Sequence, residues 1–330
     1  MRFVPCPWDD SVKRRIILWK IIDDAHDALF SYTHVRLKNP SLIKNVLGIP
    51  EEARLWIDSS GFQIGNKHSP KLDVFSVYDF QRHCAHVAFT LDVPGNVEQT
   101  YQNAILGLAY GRGFDERPKI YAVATHEGDF GNVALLVRKY ERKEFDGIAI
   151  GTMIPYGVAN LESFAKMLTV VKKYSTKPVH VLGVGGYDTL YLMSMIGVES
   201  FDSSKFLGGA KWREYHLPQG GMAYLGTHYS SKHPRRRVLS GELPCSCPVC
   251  IDVKQVEYFQ RPKAESVAHL ALHNYYVMKN ELKLIEIAKK EGWFESLIES
   301  RARKSARLRT AVSAVKKSMR TKLFLNEPPL

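Results

Sequence analysis

Short apolar runs that end in acids, glycines or small polar residues recur along the first two-thirds of the chain. Arg54-Leu55-Trp56-Ile57 leads into Asp58-Ser59-Ser60-Gly61, and His86-Val87-Ala88-Phe89-Thr90-Leu91 leads into Asp92-Val93-Pro94-Gly95. Ile120 to Ala124 runs into Thr125-His126-Glu127-Gly128, and Gly147 to Ile150 runs into Gly151-Thr152. Val179 to Leu182 precedes Gly183-Val184-Gly185, and Ser200-Phe201 precedes Asp202-Ser203-Ser204. Each is short, rich in β-formers and closed by turn residues, which predicts strands. Helices are expected between them over 96–108, 132–144, 160–173 and 188–195. Residues 1–50 read as one or two helices after a proline-interrupted start. Strand, loop and helix in alternation is the βα pattern. Acids and glycines at the strand ends favour an α/β, (β/α)8 TIM barrel, whose chemistry gathers at the C-terminal ends of its strands. A doubly wound open sheet is the alternative, weakened because no Gly-x-Gly-x-x-Gly follows the first strand. From Ala264 the chain turns helical, with Leu270, His273, Val277 and Leu282 at helical spacings, and Arg301 to Thr321 reads as a basic helix.

Length fits this picture. The chain has 330 residues, enough for a barrel of about 250 residues with additions. Hydrophobic residues make up 45% and charged residues 24%, the composition of a globular protein. No apolar run reaches membrane-spanning length and none resembles a leader, so no membrane association and a cytoplasmic location are expected. The expected division is 1–240 for the main part of the barrel, 241–275 for a metal-binding motif, and 276–330 for C-terminal helices with a basic tail.

Charge adds a partner. The formal net charge is +12, and the excess is clustered. Lys205, Lys211, Arg213, Lys232, Arg235, Arg236 and Arg237 face the single acid Glu214, and 301–322 holds nine Lys or Arg and no acid. Such stretches favour a polyanion, nucleic acid first among them.

The five cysteines are Cys6, Cys84, Cys245, Cys247 and Cys250. An odd number with three in six residues argues against a disulfide framework. Cys245-x-Cys247-x-x-Cys250 can converge on one metal ion. A structural zinc site needs four ligands, and His269 and His273, one helical turn apart, are the candidates for the fourth. Three cysteines and a histidine leave no open position, so Zn2+ would be structural. The plain alternative is three reduced thiols in a core turn.

Asp58, Asp92 and Asp202 each follow a strand-like run. In a barrel these ends share one mouth, where paired carboxylates can act as nucleophile and acid/base at a glycosidic carbon. Each alone could equally brace a loop or cap a helix. Phe62 beside the first is either core or a stacking platform. Spacing goes no further than a barrel hydrolase or transferase.

Taken together, these segments resemble the tRNA-guanine transglycosylase family. Asp58-Ser59-Ser60-Gly61-Phe62-Gln63 resembles its Asp-Ser-Gly-Gly-Phe-Gln. Phe145 to Thr152 resembles the segment lining its base pocket, and Leu182-Gly183-Val184-Gly185 followed by Asp188 resembles its Met-Gly-Val-Gly-x-Pro-x-Asp. Gly197 to Ser203 resembles its nucleophile segment, and Glu242 to Cys250 its zinc motif in the archaeal form. The segment with His273-Asn274 resembles the one carrying the histidine ligand. The resemblance implies base exchange through a covalent nucleotide–enzyme intermediate, with Asp202 as nucleophile and Asp58 as acid/base. It implies Asp92 at the base edge, Phe62 and Leu182 on either face of the base, and Gly151 and Thr152 in backbone contact with it. Ser59 and Gln63 belong to the same pocket. Cys245, Cys247, Cys250 and His273 would hold Zn2+.

Departures shift the expected substrate. Ser60 replaces a glycine, Thr125-His126 stands where the family has Val-Gln-Gly, and Thr152 replaces a second glycine. Thr125 or His126 is expected to take over the contact of the missing glutamine. The nucleophile segment lacks the bacterial Pro-Thr-Arg, and the archaeal C-terminal RNA-binding domains are expected to be absent. These losses resemble the DNA-modifying branch, which exchanges guanine in DNA for a 7-deazaguanine such as preQ0. The partners expected are therefore DNA in preference to tRNA, a free 7-deazaguanine base, a homodimer and accessory modification proteins. A tRNA-acting enzyme and a non-catalytic nucleic-acid-binding relative are the alternatives.

Overall fold

The computed structural model describes residues 1–6, 26–36, 38–61, 72–112, 117–125, 130–151, 160–225, 239–261 and 264–322. Its centre is one eight-stranded parallel sheet. The strands are β1 (Arg2–Pro5), β2 (Asp27–Ser31), β3 (Arg54–Asp58), β4 (Val87–Phe89), β5 (Lys119–Ala124), β6 (Gly147–Ile150), β7 (Val179–Val181) and β8 (Ser200–Ser203). They pair in sequence order from β2 to β8, and β8 then pairs with β1. This order makes a nearly closed barrel and rules out the doubly wound alternative, in which the strand order reverses.

The remaining seam, β1 against β2, is clamped by side chains. Arg2 Nε lies 3.3 Å from Asp27 Oδ2, and Arg54 Nε lies 3.2 Å from Asp27 Oδ1. The Trp56 indole donates to the same Oδ1 at 2.8 Å. One buried carboxylate thus joins the first three strands.

Residues 1–50 hold two strands as well as helices, which corrects the helical expectation there. β1 has four residues and ends in proline, too short to show an alternation, and β2 is buried along its whole length, so it shows none either. Helices over Val74–Cys84, Val97–Arg112, Phe130–Glu141, Leu161–Tyr174 and Tyr187–Ile196 cover the strands. Their starts follow local chemistry: the Asn160 side chain accepts from the Ser163 amide, and Asp73 accepts from that of Ser76, each satisfying an amide left open at a helix N-terminus.

Two cores follow from strand alternation. Val4, Leu29, Trp56, Val87, Phe89, Tyr121, Val123 and Ala149 fill the barrel interior. Leu55, Ile57, Ile148, Val181 and Phe201 point outward and pack under the helices. On β3, residues of the same parity as Trp56 therefore face inward, which carries Asp58 to the barrel mouth.

After β8 come a short helix (Lys205–Lys211) and an antiparallel hairpin of β9 (Glu214–His216) and β10 (Met222–Tyr224), which the sequence did not foretell. The long C-terminal helix runs from Ala264 to Lys290 and stops at Gly292, which takes a left-handed φ of 81°. The basic segment is two helices, Phe294–Lys304 and Ala306–Lys322, and the Ser305 hydroxyl accepts from the Leu308 amide at the start of the second. Among the described residues no helix is long and apolar enough to cross a membrane.

Candidate active site and metal centre

Asp58 ends β3, Asp92 lies just beyond β4, and Asp202 is the third residue of β8. All three are buried. Asp58 Oδ2 accepts from the Ser60 amide at 3.1 Å and from the Ser31 hydroxyl at 3.3 Å. Burial pushes its carboxyl up to about 6; the Ser60 amide opposes the rise and the Asp202 charge adds to it. Burial also pushes Asp92 up to about 7, reinforced by the charge of Asp58. These carboxylates share one field, as acids at neighbouring strand ends must.

Supports hold the loops in place. The buried amide of Gln81 donates to the carbonyls of Ile57 and Phe89, both at 2.9 Å, tying the ends of β3 and β4 to one helix. The Tyr78 hydroxyl accepts from the Leu91 amide at 3.2 Å and donates to the Asn103 carbonyl. Gly61 has no room for a side chain, since a Cβ there would lie 1.9 Å from Asp92 Oδ1 and 2.3 Å from its carbonyl oxygen. Ser60 is left-handed, with φ of 66°, a conformation costly for any residue but glycine. Its hydroxyl bonds the Thr33 amide and hydroxyl, both at 3.1 Å, which offsets the strain. Thus the Thr33 contacts let a serine hold the left-handed position where the family motif has glycine.

Ser59, Thr125 and Gly151 are buried at the same end of the barrel. A Cβ on Gly151 would sit 3.3 Å from Asp92 Oδ2 and 4.0 Å from Thr125 Cβ, so these three residues are brought together. Leu182 packs against the barrel interior. Phe62, Gln63, His126 and Thr152 lie outside the described residues.

Sequence reasoning missed His180. It lies on β7, fully buried, pointing inward beside Ser200 and Asp202. Nothing in the local pattern separated it from its valine neighbours; only the two-residue period counted back from Leu182 marks it as inward-facing.

The cysteine cluster closes around one histidine. Ligand atoms of Cys245, Cys247, Cys250 and His273 lie within 4.8 Å of one another. His273 Nδ1 is 3.4 Å from Cys247 Sγ and 3.2 Å from Cys250 Sγ, and its Nε2 is 2.8 Å from the His216 carbonyl oxygen. A carbonyl can only accept, so Nε2 carries the hydrogen and Nδ1 offers a lone pair to the sulfurs. Such an outer hydrogen bond is the kind that orients a histidine toward a metal, and the set could hold a metal ion. Tyr215 stacks on the His273 ring at 3.8 Å. His269 instead faces the Tyr258 hydroxyl at 2.7 Å, outside the cluster. Asn274, another residue missed, fixes the helix to the hairpin: it accepts from the His216 amide and donates to the carbonyls of Phe206 and Glu214.

The basic stretches are partly internal. Lys205 pairs with Glu214 at 2.8 Å, and Arg213 donates to the carbonyls of Phe259 and Arg261. Arg301 is partly buried and pairs with buried Glu281 at 2.8 Å, and Lys316 pairs with Glu295 and Glu299. Lys232, Arg235, Arg236 and Arg237 lie outside the described residues.

Comparison with known proteins places this geometry. Residues 133–307 match the family model described as queuine tRNA-ribosyltransferase. The tRNA-guanine(15) transglycosylase of Thermococcus onnurineus is 30% identical over 304 residues, covering 86% of this chain and 49% of the relative. Those of Pyrococcus abyssi and Methanocaldococcus jannaschii are each 26% identical, over 82% and 92% of this chain and 45% and 48% of the relatives. The chain thus spans about half the length of the curated relatives it matches. These relatives are named for tRNA, which overturns the expectation of DNA as substrate and favoured partner. That expectation rested on departures from the family's motifs, with the basic stretches as a grip on phosphate, but lysine and arginine read phosphate, which both nucleic acids carry. Several of those side chains also serve the fold itself. With more than half of its length matched by that model, the chain belongs to the queuine tRNA-ribosyltransferase family.

Proposed function

We propose that this protein is a tRNA-guanine transglycosylase, a pentosyltransferase that exchanges a guanine in tRNA for a free 7-deazaguanine base. The observation that carries the reading is the set of three buried aspartates at one barrel mouth, with the Asp58 carboxyl raised to about 6. A group that titrates near neutral pH can both give and take a proton.

In this reading Asp202 attacks C1′ of the target ribose. The C1′–N9 bond breaks, and guanine leaves with a proton given by the Asp58 carboxyl. The ribose is then esterified to Asp202. The incoming base loses its ring N–H proton to the Asp58 carboxylate and attacks C1′, and the bond to Asp202 breaks. Two displacements at one carbon give net retention. Asp92 would accept from the base edge, with Ser59, Gly151 and Thr125 around it, and Leu182 and Phe62 would enclose the ring. Gln63, His126 and Thr152, outside the described residues, are proposed base contacts on the family resemblance alone. Reading a base in such a pocket requires it to leave its stack.

The ion in the cluster is proposed to be zinc, held by Cys245, Cys247, Cys250 and His273. Four protein ligands leave it no open coordination position, so its contribution is folding energy. We read 1–240 as the main barrel, 241–275 as the metal motif and 276–330 as C-terminal helices, with helix Ala264–Lys290 shared by the last two.

The test is incorporation of labelled guanine into unlabelled tRNA, with duplex and single-stranded DNA alongside. Label entering tRNA supports the reading, and label entering none of the three sinks it.

A further inference from the structure

The inward face of the barrel carries a polar chain that the proposed reaction does not yet use. His180 Nδ1 lies 2.9 Å from Ser200 Oγ, and Nε2 lies 3.2 Å from Asp202 Oδ1. Ser200 and Asp202 are two residues apart on β8 and so share a face, while His180 is the register partner of Ser200 on β7. The imidazole is fully buried, and its ring packs 4.9 Å from Phe89 and 5.2 Å from Trp56. Asp202 Oδ1 also accepts from the Gly183 amide at 2.8 Å.

We propose that His180 is a positioning residue that, with Gly183, holds Asp202 Oδ1 and thereby leaves Oδ2 as the oxygen that reacts with the ribose. This rests on the base-exchange reading and deepens it. A carboxylate only accepts hydrogen bonds, so Nε2 carries the hydrogen toward Asp202, and Nδ1 accepts from the Ser200 hydroxyl. Aromatic rings on the imidazole restrict its rotation. In the first displacement the pair of donors fixes the carboxylate plane. In the second, Oδ2 leaves C1′ and negative charge returns to the carboxylate. The same two donors stabilise that charge without rearrangement, as fixed donors do at developing anions. Asp202 would otherwise rotate about its final side-chain bond, and either oxygen could present.

The experiment compares guanine exchange into tRNA by the wild type, His180→Phe, His180→Gln and Ser200→Ala, together with 15N NMR of the imidazole. Phe keeps ring bulk and removes both hydrogen bonds, whereas Gln restores a donor. The expected result is a fall in kcat of about 100-fold for His180→Phe, KM for guanine within about threefold, and recovery of about tenfold in His180→Gln. Ser200→Ala, which frees only the far nitrogen, should lose less than His180→Phe. A His180→Phe protein with wild-type kcat, or one changed only in KM, overturns the proposal. Should His180→Phe fail to fold, His180→Gln and Ser200→Ala carry the comparison, and equal kcat in both and in the wild type overturns it. The NMR arm separates this from the reading beneath it. A wild type that exchanges no guanine defeats the base-exchange reading, whereas a His180 protonated on Nδ1 alone defeats the positioning role whatever the activity.

Discussion

The charge of Asp58 raises the pKa of Asp92, a carboxyl buried beyond the next strand of the barrel, and Asp202 does the same to Asp58. Three acids on separate strand ends are thereby one electrostatic unit. Burial makes ionising Asp58 and Asp92 costly to stability, and that cost is the clearest physical trace of a site built for chemistry.

That cost has a sign. Asp58 rises from 3.8 to about 6 on folding. A carboxyl raised in this way favours the folded state below its unfolded pKa and loses that contribution as pH rises through its folded value. Stability contributed by this site should therefore fall between about pH 4 and pH 7, by roughly 3 kcal/mol for Asp58 at 1.36 kcal/mol per pH unit. Asp58→Asn should flatten that slope and make the protein about 2 kcal/mol more stable than wild type at pH 8. Urea unfolding at pH 5 and pH 8 measures it; a steeper slope in the variant would contradict the assignment.

The left-handed Ser60 makes a second case. Its strain is offset by the bonds to Thr33. Ser60→Ala keeps the strain and loses the bonds, so it should cost about 1–2 kcal/mol. Ser60→Gly loses the bonds but relieves the strain and should cost less. The order of the two midpoints in one denaturant titration checks this.

The barrel seam depends on Asp27. Asp27→Ala leaves the Trp56 indole without its acceptor and separates Arg2 from Arg54. The expected loss is about 2 kcal/mol, below the value for a fully buried pair because both arginines are half-exposed. Asp27→Asn keeps an acceptor for the indole and should lose about half as much. Thermal unfolding of the two variants gives the comparison.

Metal content tests the cluster. Purified protein should carry about one zinc per chain. Chelation should destabilise it, most of all around helix Ala264–Lys290, which hydrogen exchange would report. His273→Ala should lose the metal, while His269→Ala should keep it. Equal retention by both variants would remove His273 from the ligand set.

Much of this was legible in the residues. Acids after apolar runs pointed to Asp58, Asp92 and Asp202 at strand ends, and cysteine spacing pointed to three members of the Cys/His cluster. His269 and His273 could not be separated by spacing, because one helical turn puts both on the same face; the Tyr258 hydroxyl and the His216 carbonyl decide between them. β1 and β2 were hidden because a four-residue strand and a fully buried one show no alternation. His180 was hidden because its meaning lies across the sheet, on Ser200 and Asp202. Substrate was misread for a different reason: departures such as Ser60 and Thr125-His126 show an altered pocket without naming its sugar, and charge density speaks of phosphate, not of the sugar or base attached to it.

Base exchange as proposed here requires Asp202 to form a bond to the ribose of tRNA. The direct measurement is a denaturing gel of protein incubated with guanine-containing tRNA, run for wild type and Asp202→Asn. Wild type should give a slow-migrating covalent adduct, dispersed by excess free guanine, and the variant none, although it should still fold and retain its metal. An adduct of equal yield in Asp202→Asn, or labelled guanine entering tRNA at the wild-type rate without Asp202, would contradict it.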